Sequence, residues 1–152
     1  MIDRNAGLRR FIGLVRIPVT PCRSANILLC QRVENNGGLL SAVGVVDVFT
    51  FGRNEDSANF KAVTFLTGHQ GDVGPHIVVI EMVTEDLTVV AKTNFLSFSY
   101  AHSVDTSAPG AFQLTTNFDI GLSMLPYLGT YTVHAVVDSI AVAKTFITLR
   151  RE

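Results

Sequence analysis

The chain has 152 residues and a formal net charge of −1, with 47% hydrophobic and only 16% charged residues. This composition excludes intrinsic disorder and the collagen-like, coiled-coil and disulfide-scaffold classes. No uncharged apolar run reaches the roughly 18 residues of a membrane-spanning helix, and the length fits one soluble globular domain.

The charge is unevenly spread. Residues 1–23 hold five arginines and one aspartate, a net +4, while residues 24–152 carry a net −5. The expected organisation is a basic N-terminal arm over 1–24 and a domain over 25–152. In the arm, Leu8, Phe11, Ile12 and Val15 share one helical face, Arg9, Arg10 and Arg16 lie off it, and Pro18 and Pro21 stop the helix. Three readings of this segment stand. It is an arm, packed on the domain or free; or an extension upstream of a true start near Ala25; or a basic element, within 4–23, that tethers the domain to an anionic membrane or a nucleic acid. Elsewhere the acidic surface repels phosphate, so neither membrane nor nucleic acid is an expected partner there. The apolar run at 11–15 is too short for a secretory signal, and Arg16 interrupts it. Cys22 and Cys30 read as free thiols, with Cys30 a small buried hydrophobe, which favours the cytoplasm.

From Ala25 onward the pattern is one of strands and polar turns. Val, Ile and Thr number 19, 9 and 14, and stiff side chains branched at Cβ suit a pleated surface. A first strand is predicted over 27–33. Asn35-Asn36-Gly37-Gly38 follows, the best hairpin turn in the chain. A long strand is predicted over 39–51, apolar on both faces up to Asp47, with Gly44 marking a bulge. A polar loop at 52–59 leads to a third strand at 60–67, and a Gly-rich connection at 69–75 to a fourth at 76–84. Glu85-Asp86 turns the chain into a fifth strand at 88–93, which 95–100 extends. After the loop at 101–110, Phe112, Leu114, Thr116, Phe118, Ile120 and Leu122 alternate with polar residues, a period of two with one wet face. A corner at 125–129 precedes a strand in which Tyr131, Val133, Ala135 and Val137 face in while Thr130, Thr132 and His134 face out. Asp138-Ser139 turns it into a last strand over 140–149. The predicted class is all-β: a single antiparallel β-sandwich, immunoglobulin-like, of about eight strands, preceded by the basic arm or short helix.

Two stretches, LLCQRVENNGGLLSAVGVVDVF at 28–49 and LPYLGTYTVHAVVDSIAVAKTFITL at 125–149, resemble a bacterial family, domain of unknown function 6941. Leu29, Cys30, Arg32, Val33, Ser41, Gly44, Val45, Asp47, Gly129, Tyr131 and Asp138 fill the positions of its motifs. Gln31 stands where the family has Asp, Leu128 where it has Pro, and Ser139 where it has Gly. The resemblance covers about 26–149 and implies a small immunoglobulin-like sandwich with no established activity. Gly129-Thr130-Tyr131 also looks like a tyrosine corner, in which a late-strand phenol bonds to upstream backbone.

Chemistry-bearing patterns are sparse. There is no G-x-S-x-G, and neither cysteine has a histidine nearby in sequence. Gly68, Gly71 and Gly74 lie between two strands, without the helix that a phosphate cradle needs. Calcium would want carboxylates at alternate loop positions, whereas Glu55-Asp56 and Glu85-Asp86 are adjacent pairs. Asp47 interrupts an apolar strand, and a carboxylate buried there would pair with Arg32, but counting from an Asn36-Gly37 centre places Arg32 opposite Ser41. The candidate ligand-binding residues are His69, Asp72, His76 and His102, at the loops 69–76 and 101–110, which would make the domain a small-ligand or metal-binding sandwich; exposed loop histidines are the plainer explanation. No catalytic residue, metal or cofactor is expected. Tyr131, Gly129, Asp138, Gly37 and Gly38 read as structural. The leading expectation is a non-enzymatic binding or structural module. It is expected to self-associate through the strands at 39–51 and 76–83, apolar on both faces, because such faces need cover.

Overall fold

The computed structural model describes residues 20–102 and 108–152. Among these residues the strands are β1 Ser24–Asn36, β2 Leu39–Val45, β3 Val48–Phe51, β4 Ser57–Thr67, β5 His76–Val83, β6 Val89–Lys92, β7 Leu96–Phe98, β8 Ala111–Gly121, β9 Thr130–Val137 and β10 Ile140–Arg151. One sheet has the order β2-β1-β4-β8 and the other β3-β10-β9-β5-β6, with β7 also paired to β5. The β1-β4-β8 and β5-β9-β10 sets form an immunoglobulin-like sandwich. Leu29, Phe60, Phe118 and Ile120 from one sheet meet Ile80, Val133 and Ile147 from the other to form the core.

Local chemistry explains the hairpins. Gly37 and Gly38 have φ of 62° and 87°, which a tight turn matching strand twist requires at both positions. The Gly38 N–H donates to Asn35 Oδ1 at 3.0 Å. The turn is therefore centred one residue later than the sequence count placed it, so Arg32 faces Val43 instead of Ser41. Arg32 instead bonds to Glu34 at 2.9 Å.

The single long strand expected over 39–51 is two strands in different sheets. Gly44 turns left-handed at φ 68°. The Val46 N–H donates to Leu29 O at 2.9 Å, and Val46 is buried in the core. The chain then crosses the sandwich, and β3 runs parallel to β10, from Val48↔Thr148 to Phe51↔Arg151. The sandwich is thus not wholly antiparallel. An apolar run without period carries no signal for a change of sheet. Nor is the first half covered: Leu39, Leu40 and Val45 are exposed. This split, and the separation of β7 from β6, raise the strand number above the expected eight.

Elsewhere the expected alternation holds. On β9, Tyr131, Val133, Ala135 and Val137 are buried between partly exposed neighbours. The Tyr131 hydroxyl donates to Tyr127 O at 2.5 Å, closing the corner, and Leu149 N–H donates to Gly129 O at 2.8 Å. Cys22 and Cys30 are free and buried. Cys22 belongs to the core, so the chain joins the sandwich upstream of the boundary drawn at residue 24. The face formed by Leu8, Phe11, Ile12 and Val15, and with it the arm or short helix, lies outside the described residues. Among those described, no helix is long and apolar enough to cross a membrane.

Candidate functional site

Two features stand out, a polar cluster at one end of the sandwich and a groove on the outer face of the larger sheet. At the polar end, the β4–β5 connection meets the segment after β7. The Gly68 N–H donates to Gly110 O at 2.8 Å. The Tyr100 ring lies over Gly68, where a Cβ would sit 2.6 Å from Tyr100 Cδ2, while Gly110 faces Tyr100 Cβ and the His102 ring. Tyr100 is buried and its hydroxyl donates to Pro21 O at 2.6 Å. Burial drives its phenol well above the ordinary value, and nearby negative groups add to the effect.

His76, the first residue of β5, packs against Tyr100 and Phe98 with ring centroids 5.1 Å and 5.6 Å away. Its Nε2 lies 2.8 Å from Asp72 Oδ2, and its Nδ1 lies 2.6 Å from Asp138 Oδ2. Burial alone would lower its pKa; the hydrogen bonds to Asp138 and Asp72 outweigh burial and raise it. Asp138 has a matching history. Burial pushes its carboxyl up, but the bonds from His76 and from the Ile77 N–H leave it below the ordinary range. That N–H bond is 2.9 Å, and the Asp138 N–H returns a bond to Ile77 O at 2.9 Å.

His102 Nε2 donates to Asp72 O at 2.8 Å, and its Nδ1 lies 3.1 Å from Ala108 O. His69 is turned elsewhere, with Nε2 2.7 Å from Thr20 O. Of the four residues proposed from the sequence, the structure joins Asp72 and His76 and hangs His102 on the Asp72 carbonyl. It leaves His69 as a separate pin on the incoming chain. The two carboxylates occupy opposite nitrogens of one imidazole, so they cannot converge on a single ion. Among the described residues, no three His, Cys, Asp or Glu side chains form a group suited to a metal. The sequence marks Asp138 only as a turn residue. It meets His76 across 62 positions, a separation that no local spacing encodes.

The groove lies on the outer face of β5, β9 and β10 and encloses about 540 Å³. Its walls include Ile77, Leu87, Phe95, Val136 and Ala141, with Glu81 and His134 on its lining. Strand pairing sets Lys92, Glu81, His134 and Lys144 in one row across β6, β5, β9 and β10. Val79 and Val83, one residue out of step with core residues Val78, Ile80 and Met82, are only 3% exposed. The outer face is therefore apolar at its floor. Leu87 is 69% exposed and Phe95 66%. Leu87 has φ 64°, a left-handed conformation that disfavours bulky side chains. Its turn is held by Thr84 N–H to Thr88 O and Leu87 N–H to Thr84 O, both 3.0 Å. The apolar double face of 76–83 is legible in the sequence, but the rim residues Leu87 and Phe95 are not.

No family model matches the chain, and no curated protein does. Several solved structures show a partial likeness. A bacterial adhesin from Mobiluncus mulieris with intramolecular disulfide, isopeptide and ester cross-links gives a TM-score of 0.46 at 8% identity, over 86% of this chain and 58% of the adhesin. A glycosyl hydrolase family 2 member from Bacteroides cellulosilyticus gives 0.42 at 14% identity, over 61% of this chain and 12% of the hydrolase. An alkylpurine DNA glycosylase from Pseudomonas fluorescens gives 0.41 at 12% identity, over 84% of this chain and 30% of that one. The chain thus spans only part of each of these proteins. At such scores and identities they say nothing of its activity.

Proposed function

We propose that the domain is a non-catalytic binding module that works through the outer face of its larger sheet and pairs there with a second copy of itself. The observation that carries this reading is the rim of the groove. Leu87 and Phe95 present large apolar side chains to water above a floor that is already apolar. Leu87 does so in a backbone conformation where glycine or asparagine is less strained. Strain combined with exposure is a mark of binding surfaces, not of packing. A two-fold contact needs only one such patch, because each copy presents the same surface to the other.

Light scattering over a wide concentration range tests the proposal. The expected result is a mass that rises from monomer to dimer with concentration, and a Phe95→Glu variant that stays monomeric with an unchanged melting temperature. A strict monomer throughout would overturn self-association. A Phe95→Glu dimer of unchanged affinity would overturn the assignment to this face.

A further inference from the structure

We propose that Asp72, His76 and Asp138 form a proton-operated latch that ties the β4–β5 connection and the β9–β10 turn to the start of β5, and thereby sets one end of the outer groove. An imidazole has two ring nitrogens, and only the protonated ring carries a hydrogen on both. In this structure each nitrogen of His76 faces a carboxylate oxygen, at 2.8 Å and 2.6 Å. A neutral ring would turn one lone pair toward a carboxylate and lose that bond. The arrangement therefore fits the imidazolium, with two charge-assisted hydrogen bonds.

Both carboxylates are also anchored on backbone. Asp72 Oδ1 accepts from the Gly74 N–H at 3.2 Å, and Asp138 Oδ1 from the Ile77 N–H at 2.9 Å. From the elements packed around it, His76 is faced by Asp72, Asp138, Phe98 and Tyr100, with His102 beyond on the Asp72 carbonyl. Tyr100 turns its hydroxyl away to Pro21, so the two aspartates are the ionised partners of the ring. When the proton leaves for solvent, the ring retains one donor for two acceptors. Asp138 stays fixed by its paired bonds with Ile77, so the Asp72 side is the one that releases. Ile77, Asp138 and Ser139 all line the groove, so the latch lies beneath its end wall.

The coupling to the groove rests on the function proposed above; the latch itself does not. The sign follows from the direction of the His76 shift. The latch is fully made below the ordinary histidine value of 6.5 and is lost as pH rises through the higher folded-state value.

Two measurements on the whole chain separate latch from groove. The first, at a concentration where the protein is monomeric, follows the His76 ring by NMR and the Gly74 amide by hydrogen exchange across the titration. The expected result is a midpoint above 6.5 and a protection factor at Gly74 that falls about tenfold above it, as loss of one charge-assisted bond implies. In Asp72→Asn, which keeps the side-chain shape, the midpoint should move down and the Gly74 effect should vanish. A midpoint at or below 6.5, or Gly74 protection independent of pH, overturns the latch whatever the oligomeric state. The second compares dimer affinity on either side of the midpoint, in the native chain and in Asp72→Asn. A pH-dependent affinity that Asp72→Asn flattens supports the coupling. Equal affinities in the native chain, or an unflattened dependence in the variant, overturn the coupling.

Discussion

Replacing Gly68 by alanine is a direct test of how the polar end is packed. Gly68 has no positive φ, so alanine meets no backbone penalty there and the effect is steric. The new Cβ would lie 2.6 Å from Tyr100 Cδ2, 2.8 Å from Cγ and 2.9 Å from Cε2. The ring has little room to retreat. Its hydroxyl is tied to Pro21 O at 2.6 Å, and Phe98 abuts it edge-on at 5.3 Å. Overpacking of a held side chain costs about 1–3 kcal/mol. A loss near the middle of that range would lower the melting temperature of a domain this size by about 4–10 °C. Urea and thermal unfolding measure it, in the native chain and in a Tyr100→Ala background. With the ring removed, Gly68→Ala should be nearly neutral, so the two substitutions should couple strongly. A loss below about 0.5 kcal/mol in the native background, within the range of ordinary surface substitutions, would refute the packing argument. So would an equal loss with and without the ring.

Four further outcomes are expected. Thr64 is fully buried and its Oγ1 has no hydrogen-bond partner among the described residues, so Thr64→Val should stabilise the domain by about 1 kcal/mol in chemical unfolding; destabilisation would refute it. Tyr131→Phe removes the bond to Tyr127 O and should lower stability by about 1–2 kcal/mol in chemical unfolding, with methyl NMR shifts of the core unchanged away from the corner. Ser139 has φ 67°, so Ser139→Gly should raise stability by about 0.5–1 kcal/mol. Asp138 has a depressed carboxyl pKa, so its contribution is present above its ordinary value of 3.8 and is lost as pH falls through the lower folded-state value. An acid-unfolding titration of Asp138→Asn should therefore show a shallower low-pH limb than the native chain.

Much of the fold is readable from local pattern. The alternation at 112–122 and 130–137 follows from the two-residue period of a strand with one wet face. Gly37-Gly38 and Asp138-Ser139 turn where left-handed backbone is needed, and that need is satisfied within a few residues. The Tyr131 bond spans four positions, so it too lies within reach of a motif.

The crossing at 46–47 is different. Val46 ends a run that is apolar on both faces up to Asp47, and such a run does not say which sheet will cover each residue. The latch is different for the same reason at longer range. Asp72, His76 and Asp138 are ordinary loop, strand-end and turn residues until the sandwich closes and brings the β9–β10 turn onto β5. The outer groove depends on the placement of the 84–95 segment beside β5, which sets Leu87 and Phe95 above Val79 and Val83. Strand identity and turns are thus specified by short-range sterics and side-chain period, which a linear chain carries. Which carboxylate meets which imidazole, and which apolar face stays open, depend on sheet order, and sheet order forms only through contacts between distant segments.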